Sequence, residues 1–242
     1  MPSSTRLRAV LLDVDGTLID SNAAQARAWL DAFEEAHVDI EPDLVRRLIG
    51  KGGDRMLREA ADLDINAEPG KTIAQRHGTF FAERYLPTLR PTRGARELLM
   101  WLRSRGAQLV VATSAGEKEM RASLRTAGIE DLIDVFTSSD DASETKPDPD
   151  ILGAALHKSG RSAAESVMIG DTPYDCEAAR RIGVAAIGLQ SGGWHRGDLE
   201  CEAVFDDPAD LLDNYRASPL RRLDDLGEAA PSRASSDAVE AG

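Results

Sequence analysis

The chain has 242 residues and a formal net charge of −13. That length suits one large α/β domain, or a core domain with a smaller insert, and 42% hydrophobic residues can fill a sizeable core. The acidic balance disfavours nucleic acid and anionic membrane as partners, and any anionic substrate must be drawn in by local positive groups.

Residues 8–19 read RAVLLDVDGTLI. A short apolar strand is predicted here, delivering Asp13 and Asp15 to its C-terminal end before a sharp turn at Gly16 and Thr17. The apolar run at Ala9 to Leu12 is far too short to span a bilayer. The N-terminus lacks a basic region followed by a long apolar stretch, so a soluble cytoplasmic protein is expected. Residues 22–91 hold no convincing strand. Trp29 and Phe33, Leu44 and Leu48, then Phe80, Phe81 and Tyr85 suggest successive helices, punctuated by Pro42, Pro69, Pro87 and Pro91. Within this block Gly50, Lys51, Gly52, Gly53, Asp54 and Arg55 form a glycine-rich break between helices. No strand precedes it and its spacing fails the dinucleotide fingerprint.

From Arg93 onward apolar runs alternate with amphipathic segments. Strands are predicted at 108–112, 166–169 and 184–189, with a weaker one at 133–137. Helical spacing connects Ala95, Leu98, Leu99 and Leu102, then Met120 and Leu124, then Ile151, Ala155 and Leu156. Such alternation predicts an α/β fold with a doubly wound parallel sheet, whose ligands sit at the carboxyl ends of the strands. The expected division is an α/β core over 1–21 and 92–218, an all-α insert over 22–91, and a tail with little order over 219–242. Cys176 and Cys201 stand in no zinc or CxxC spacing, and no disulfide framework is expected. The four histidines lack metal-ligand spacing and read as structural or surface residues. Trp194, after the last predicted strand, is a candidate contact with the insert or with a second copy in a homodimer.

Four strand-end fragments carry the chemistry. DVDGT supplies Asp13 and Asp15, VVATSA supplies Thr113 and Ser114, TKPDPD supplies Lys146, and MIGDTPYD supplies Asp171 and Asp175. Four carboxylates at one spot are untenable without compensation. A hard divalent cation such as Mg²⁺, together with Lys146, would balance them and admit an anionic phosphoryl group. An aspartate could then attack phosphorus while a neighbouring acid handles the proton.

In order and spacing, these fragments resemble the four motifs of the haloacid dehalogenase superfamily. The helical insert after the first motif is similar to that of the small-cap subgroup, which includes phosphoglycolate phosphatases and β-phosphoglucomutases. The resemblance covers about Leu7 to Tyr215 and implies a Rossmann-like core with a helical cap. It implies Asp13 as nucleophile and Mg²⁺ ligand, and Asp15 as acid/base with its backbone carbonyl on the metal. It further implies Thr113 as phosphoryl-binding hydroxyl, Lys146 as the neutralising lysine, and Asp171 as a direct metal ligand. Asp175 resembles the second acid of that motif, which more often orients metal-bound water or the lysine. Ser114, and in the cap Lys51 and Arg55, are candidates to hold substrate. The activity implied is Mg²⁺-dependent hydrolysis of a small phosphorylated metabolite. Dehalogenation is disfavoured by the presence of Asp15. Gln25 stands where β-phosphoglucomutases carry a hinge histidine, which disfavours mutase activity. Phosphonate cleavage would rest on Lys51, and a non-catalytic phosphoryl-binding relative would be expected to lack one of these residues.

Overall fold

The computed structural model describes residues 6–224. They form a six-stranded parallel sheet in the order β3-β2-β1-β4-β5-β6. The strands are β1 (Ala9–Leu12), β2 (Gln108–Ala112), β3 (Val135–Thr137), β4 (Ser166–Gly170), β5 (Ala185–Leu189) and β6 (Ala203–Phe205). All four residues of β1 are buried because helices cover both faces of the sheet, as parallel strands require. The pleat splits them: Val10 and Leu12 join one core cluster, and Ala9 and Leu11 the other.

The insert holds α1 (Asn22–Glu35), α2 (Pro42–Leu48), α3 (Gly53–Ala61) and α4 (Gly70–Phe80), and α4 runs on into a wider turn over Phe81–Tyr85. Its two ends meet at the base. Asp20 N–H donates to the Arg90 carbonyl and Thr92 N–H to that of Leu18, each at 3.0 Å. Helices α5 (Ala95–Ser104) and α6 (Glu117–Thr126) cover one face of the sheet, and α7 (Asp150–Ser159) and α8 (Pro173–Arg181) the other. A short α9 (Pro208–Asp213) follows β6.

The predicted strands appear in place, each within two residues of its expected bounds. The three-residue β6 is an addition, too short for periodicity to reveal. Two expectations are corrected. The ordered chain does not stop at 218: Pro219–Leu223 forms a tight helical turn that buries Leu220 and Leu223, because these two leucines fill the core beside β5. Residues 225–242 of the expected tail lie outside the described residues. The cysteines are not separate either. Cys176 in α8 and Cys201 ahead of β6 form a disulfide across 25 residues, with a Cα–Cα distance of 5.3 Å. Their pairing comes from tertiary proximity, to which sequence spacing is blind. Among the described residues, no helix is long and apolar enough to cross a membrane.

Candidate active site

The chain runs outward from β1 to β3 on one side, then crosses to β4 on the other. The strand order therefore reverses between β1 and β4, where α/β sheets place ligands. Asp13 follows β1 directly, Thr113 follows β2, and Asp171 follows β4. Lys146 comes from the loop between β3 and α7.

The centre of the site is a buried ion cluster. The Lys146 ammonium is fully buried, 2.5 Å from Asp13 Oδ1 and 2.7 Å from Asp175 Oδ1. Burial alone would lower its pKa, but Asp13 and Asp175 outweigh that and carry it above the ordinary lysine value. One lysine cannot balance the acids around it. Asp13, Asp171 and Asp175 each offer a carboxylate oxygen, and these lie within 4.8 Å of one another. Burial pushes the Asp13 carboxyl up to about 7 against the pull of Lys146. Asp171 is raised well above the usual carboxylate range by burial and then by Asp13 and Asp175. Excess negative charge concentrated in this way fits a hard divalent cation.

The surroundings of Asp171 support that fit. Thr17 Oγ1 and Asn22 Nδ2 each donate to it at 2.9 Å. Two glycines leave it room: a β-carbon at Gly192 would lie 1.7 Å from Asp171 Oδ2, and one at Gly16 would lie 2.3 Å away. Gly16 also takes φ +73° in the turn after Asp15, a conformation costly for any other residue. Asp175 is positioned differently. It closes a capping box with Thr172, whose N–H and hydroxyl reach Asp175 Oδ2 at 3.1 and 2.7 Å, while Pro173 starts the helix. Its other oxygen is the one beside Lys146. The cap of α8 is thus Thr172, and Asp171 is left to the cluster.

Asp15 lies at the wall of the adjoining cavity, of about 230 Å³. Burial raises its pKa, opposed by hydrogen bonds from the Ser21 hydroxyl and from Gln25 Nε2, the latter at 3.2 Å. Thr113 and Ser114 line the same cavity, and Thr113 Oγ1 accepts the Ala115 N–H at 3.2 Å, which holds the loop in place.

The sequence-predicted core residues therefore converge, and the cap residues divide. Lys51 reaches the cavity wall, where its ammonium sits 2.5 Å from Glu59 and 4.7 Å from the centre of the Tyr174 ring. Arg55 is not part of that wall. It is turned away from the cavity to Asp148 and, at 3.6 Å, Glu144, so it ties the cap to the core. Trp194 meets Tyr174 edge-on at 6.0 Å, and the Tyr174 hydroxyl donates to the Arg47 carbonyl of α2. Trp194 also lines a groove with Ala23, Ala26, Arg46 and Arg47, so it faces the insert directly as well as through Tyr174.

Other site residues carry no motif signal. Glu119 in the cavity wall and Asn22, which donates to Asp171, sit beside recognisable fragments, yet only the fold aims them at the site. His77, expected as structural or surface, stacks on Trp29 at 4.1 Å, and its Nε2 lies 2.9 Å from Gln25 Oε1. Burial drives its pKa down to about 3, so the ring is neutral.

Fold and site together define a hydrolase of the phosphatase type. The chain belongs to the haloacid dehalogenase-like hydrolase family, whose profile matches residues 10–189. A phosphoglycolate phosphatase from Rhodospirillum rubrum is 32% identical over 219 residues, covering 85% of this chain and 90% of that protein. A validoxylamine A 7'-phosphate phosphatase from Streptomyces hygroscopicus subsp. limoneus is 29% identical over 185 residues, covering 75% and 85%. Among solved structures, a hydrolase from Pseudomonas syringae is similar with a TM-score of 0.80 at 32% identity, covering 86% of this chain and 97% of that one.

Proposed function

We propose that the protein is a Mg²⁺-dependent phosphatase that hydrolyses a small phosphorylated metabolite through an aspartyl-phosphate intermediate. The observation that carries this reading is the buried cluster: three carboxylates at the switch point of the sheet, two of them paired with one lysine, with Asp15 beside them on the cavity. Asp13 and Asp171, together with the Asp15 backbone carbonyl, would hold the cation, whose charge offsets the acids and the incoming phosphoryl group. Asp175 serves the lysine and, through it, the cluster.

In the first half-reaction an Asp13 oxygen attacks phosphorus and the bond from phosphorus to the leaving oxygen breaks. Asp15 gives its proton to that oxygen, which leaves as an alcohol. Its raised pKa suits this role, because the carboxyl keeps a proton to give. In the second half, Asp15 takes a proton from water as the water oxygen attacks phosphorus, releasing phosphate and restoring Asp13. Thr113, Ser114 and Lys146 receive the phosphoryl oxygens as charge spreads over them. The helical insert over 22–91 acts as a cap that limits substrate size and excludes bulk water, with Lys51 on the substrate side.

Gln25 argues against a mutase, since an amide has no titratable proton to relay. The Glu59 and Tyr174 contacts of Lys51 give it no free amine for imine chemistry. The test is hydrolysis of p-nitrophenyl phosphate with MgCl₂ by wild type and Asp13→Asn. Turnover should vanish in the variant while its far-UV spectrum is retained, and full activity in a folded Asp13→Asn protein would refute the assignment.

A further inference from the structure

Glu119 has no part in the chemistry above, yet it stands in the wall of the same cavity. It belongs to the first turn of α6, which points it toward α1 of the cap. Gln25 Nε2 donates to Glu119 Oε1 at 2.7 Å and also to Asp15, so one amide links the proton donor to this further acid. The Gln25 carbonyl oxygen is occupied by His77. No described residue donates a hydrogen bond to Glu119 Oε2. Trp29, Ile65 and Ala74 line the same cavity with apolar side chains.

The balance of charge in the wall is what selects. Asp13 is already paired with Lys146 and Asp15 keeps the proton for the leaving oxygen, so Glu119, raised to about 7 by burial, is the further acid of the wall, while Lys51 is the one cationic side chain among the described residues that line the cavity. Glu59 already engages Lys51. His77 is neutral. A carboxylate on the leaving group would therefore lie near Glu119 with no free cation to receive it. An alcohol hydroxyl would instead find an acceptor in Glu119, in a cavity whose wall also includes apolar Ile65 and Ala74.

We propose that Glu119 is a specificity-determining residue that makes the leaving-group side of the cavity a site for neutral, hydroxyl-bearing alcohols, so that the substrate is a polyol or sugar phosphate and α-carboxylate esters such as phosphoglycolate are rejected. This rests on the phosphatase reading and sharpens it. It also separates the chain from those relatives named for phosphoglycolate, which similarity of about 30% does not do by itself.

The test uses matched pairs that differ only by carboxylate against hydroxymethyl: 2-phosphoglycolate with 2-hydroxyethyl phosphate, and 3-phosphoglycerate with glycerol 3-phosphate. With MgCl₂ present, wild type should favour the hydroxyl member of each pair by at least about tenfold in kcat/KM, because a site built to accept a hydroxyl leaves a charged analogue unpaired. Glu119→Gln should shrink that ratio several-fold, and Glu119→Lys should invert it. Each ratio is taken on one preparation, so it does not depend on the fraction folded. A wild type that prefers the carboxylate members, or ratios unmoved in both variants while p-nitrophenyl phosphate is still hydrolysed, would overturn the inference and leave the phosphatase reading standing. A wild type inert toward every ester, p-nitrophenyl phosphate included, would remove both.

Discussion

Replacing Lys146 by Met removes the positive centre of the buried cluster and keeps most of its volume. The side chain is fully buried, and its two partners, Asp13 and Asp175, are 6% and 2% exposed. Removing one partner from such a pair leaves uncompensated buried charge, at a cost of about 3–5 kcal/mol. Both contacts share one ammonium, so their losses do not add, and the same range applies to the whole substitution. For a domain of this size that corresponds to a drop in Tm of roughly 6–20 °C. The measurement is urea unfolding followed by circular dichroism, in EDTA. Adding MgCl₂ should recover part of the loss, since a divalent cation among Asp13, Asp171 and Asp175 would supply the missing charge. A second step isolates the cause. Asp13→Asn placed on top of Lys146→Met removes one of the stranded charges and should restore stability, giving a coupling of about 1–3 kcal/mol between the two sites. Strict additivity, or a Lys146→Met protein as stable as wild type in EDTA, would refute the electrostatic account of this cluster.

Two further perturbations probe neighbouring parts of the site. Gly192→Ala would put a β-carbon 1.7 Å from Asp171 Oδ2, displacing that carboxylate. The MgCl₂ concentration for half-maximal activity should rise by about 10–100-fold, whereas Gly197→Ala, with open space around the new methyl, should match wild type; equal curves for all three proteins would show that Asp171 does not depend on this cradle. His77 gives a pH signature. Its folded pKa of about 3 lies below the ordinary 6.5, so its contribution to stability is full above 6.5 and is lost as pH falls toward 3. The stability advantage of wild type over His77→Gln should therefore shrink by about 1.4 kcal/mol per pH unit below about 6, and parallel unfolding profiles from pH 7 to 4 would contradict a buried neutral imidazole.

Much of the site is legible along the chain because strand ends concentrate it. Asp13, Asp15, Thr113 and Asp171 each follow directly on an apolar run, and a parallel sheet must bring such ends to one edge. Lys146 is legible only through its motif, since its loop leaves from β3, two strands away from β1. The cap is read less well. Lys51 and Arg55 are four residues apart on one basic segment, yet one reaches the cavity and the other turns to Asp148. Direction around a helix start depends on how the helix docks, which the segment itself does not encode.

What the sequence alone determined is the alternation of buried strands and amphipathic helices, and with it the acids and hydroxyls that meet at the strand ends; Lys146 was given by its motif. The alternation follows from local patterns, short apolar runs for the strands and a 3.6-residue period for the helices. Only the tertiary structure decided that Glu119 and His77 share a cavity with Asp15 through Gln25, that Gly192 leaves space for Asp171, and that Cys176 bonds Cys201. These are contacts between segments remote in the chain, and packing rather than periodicity brings them together.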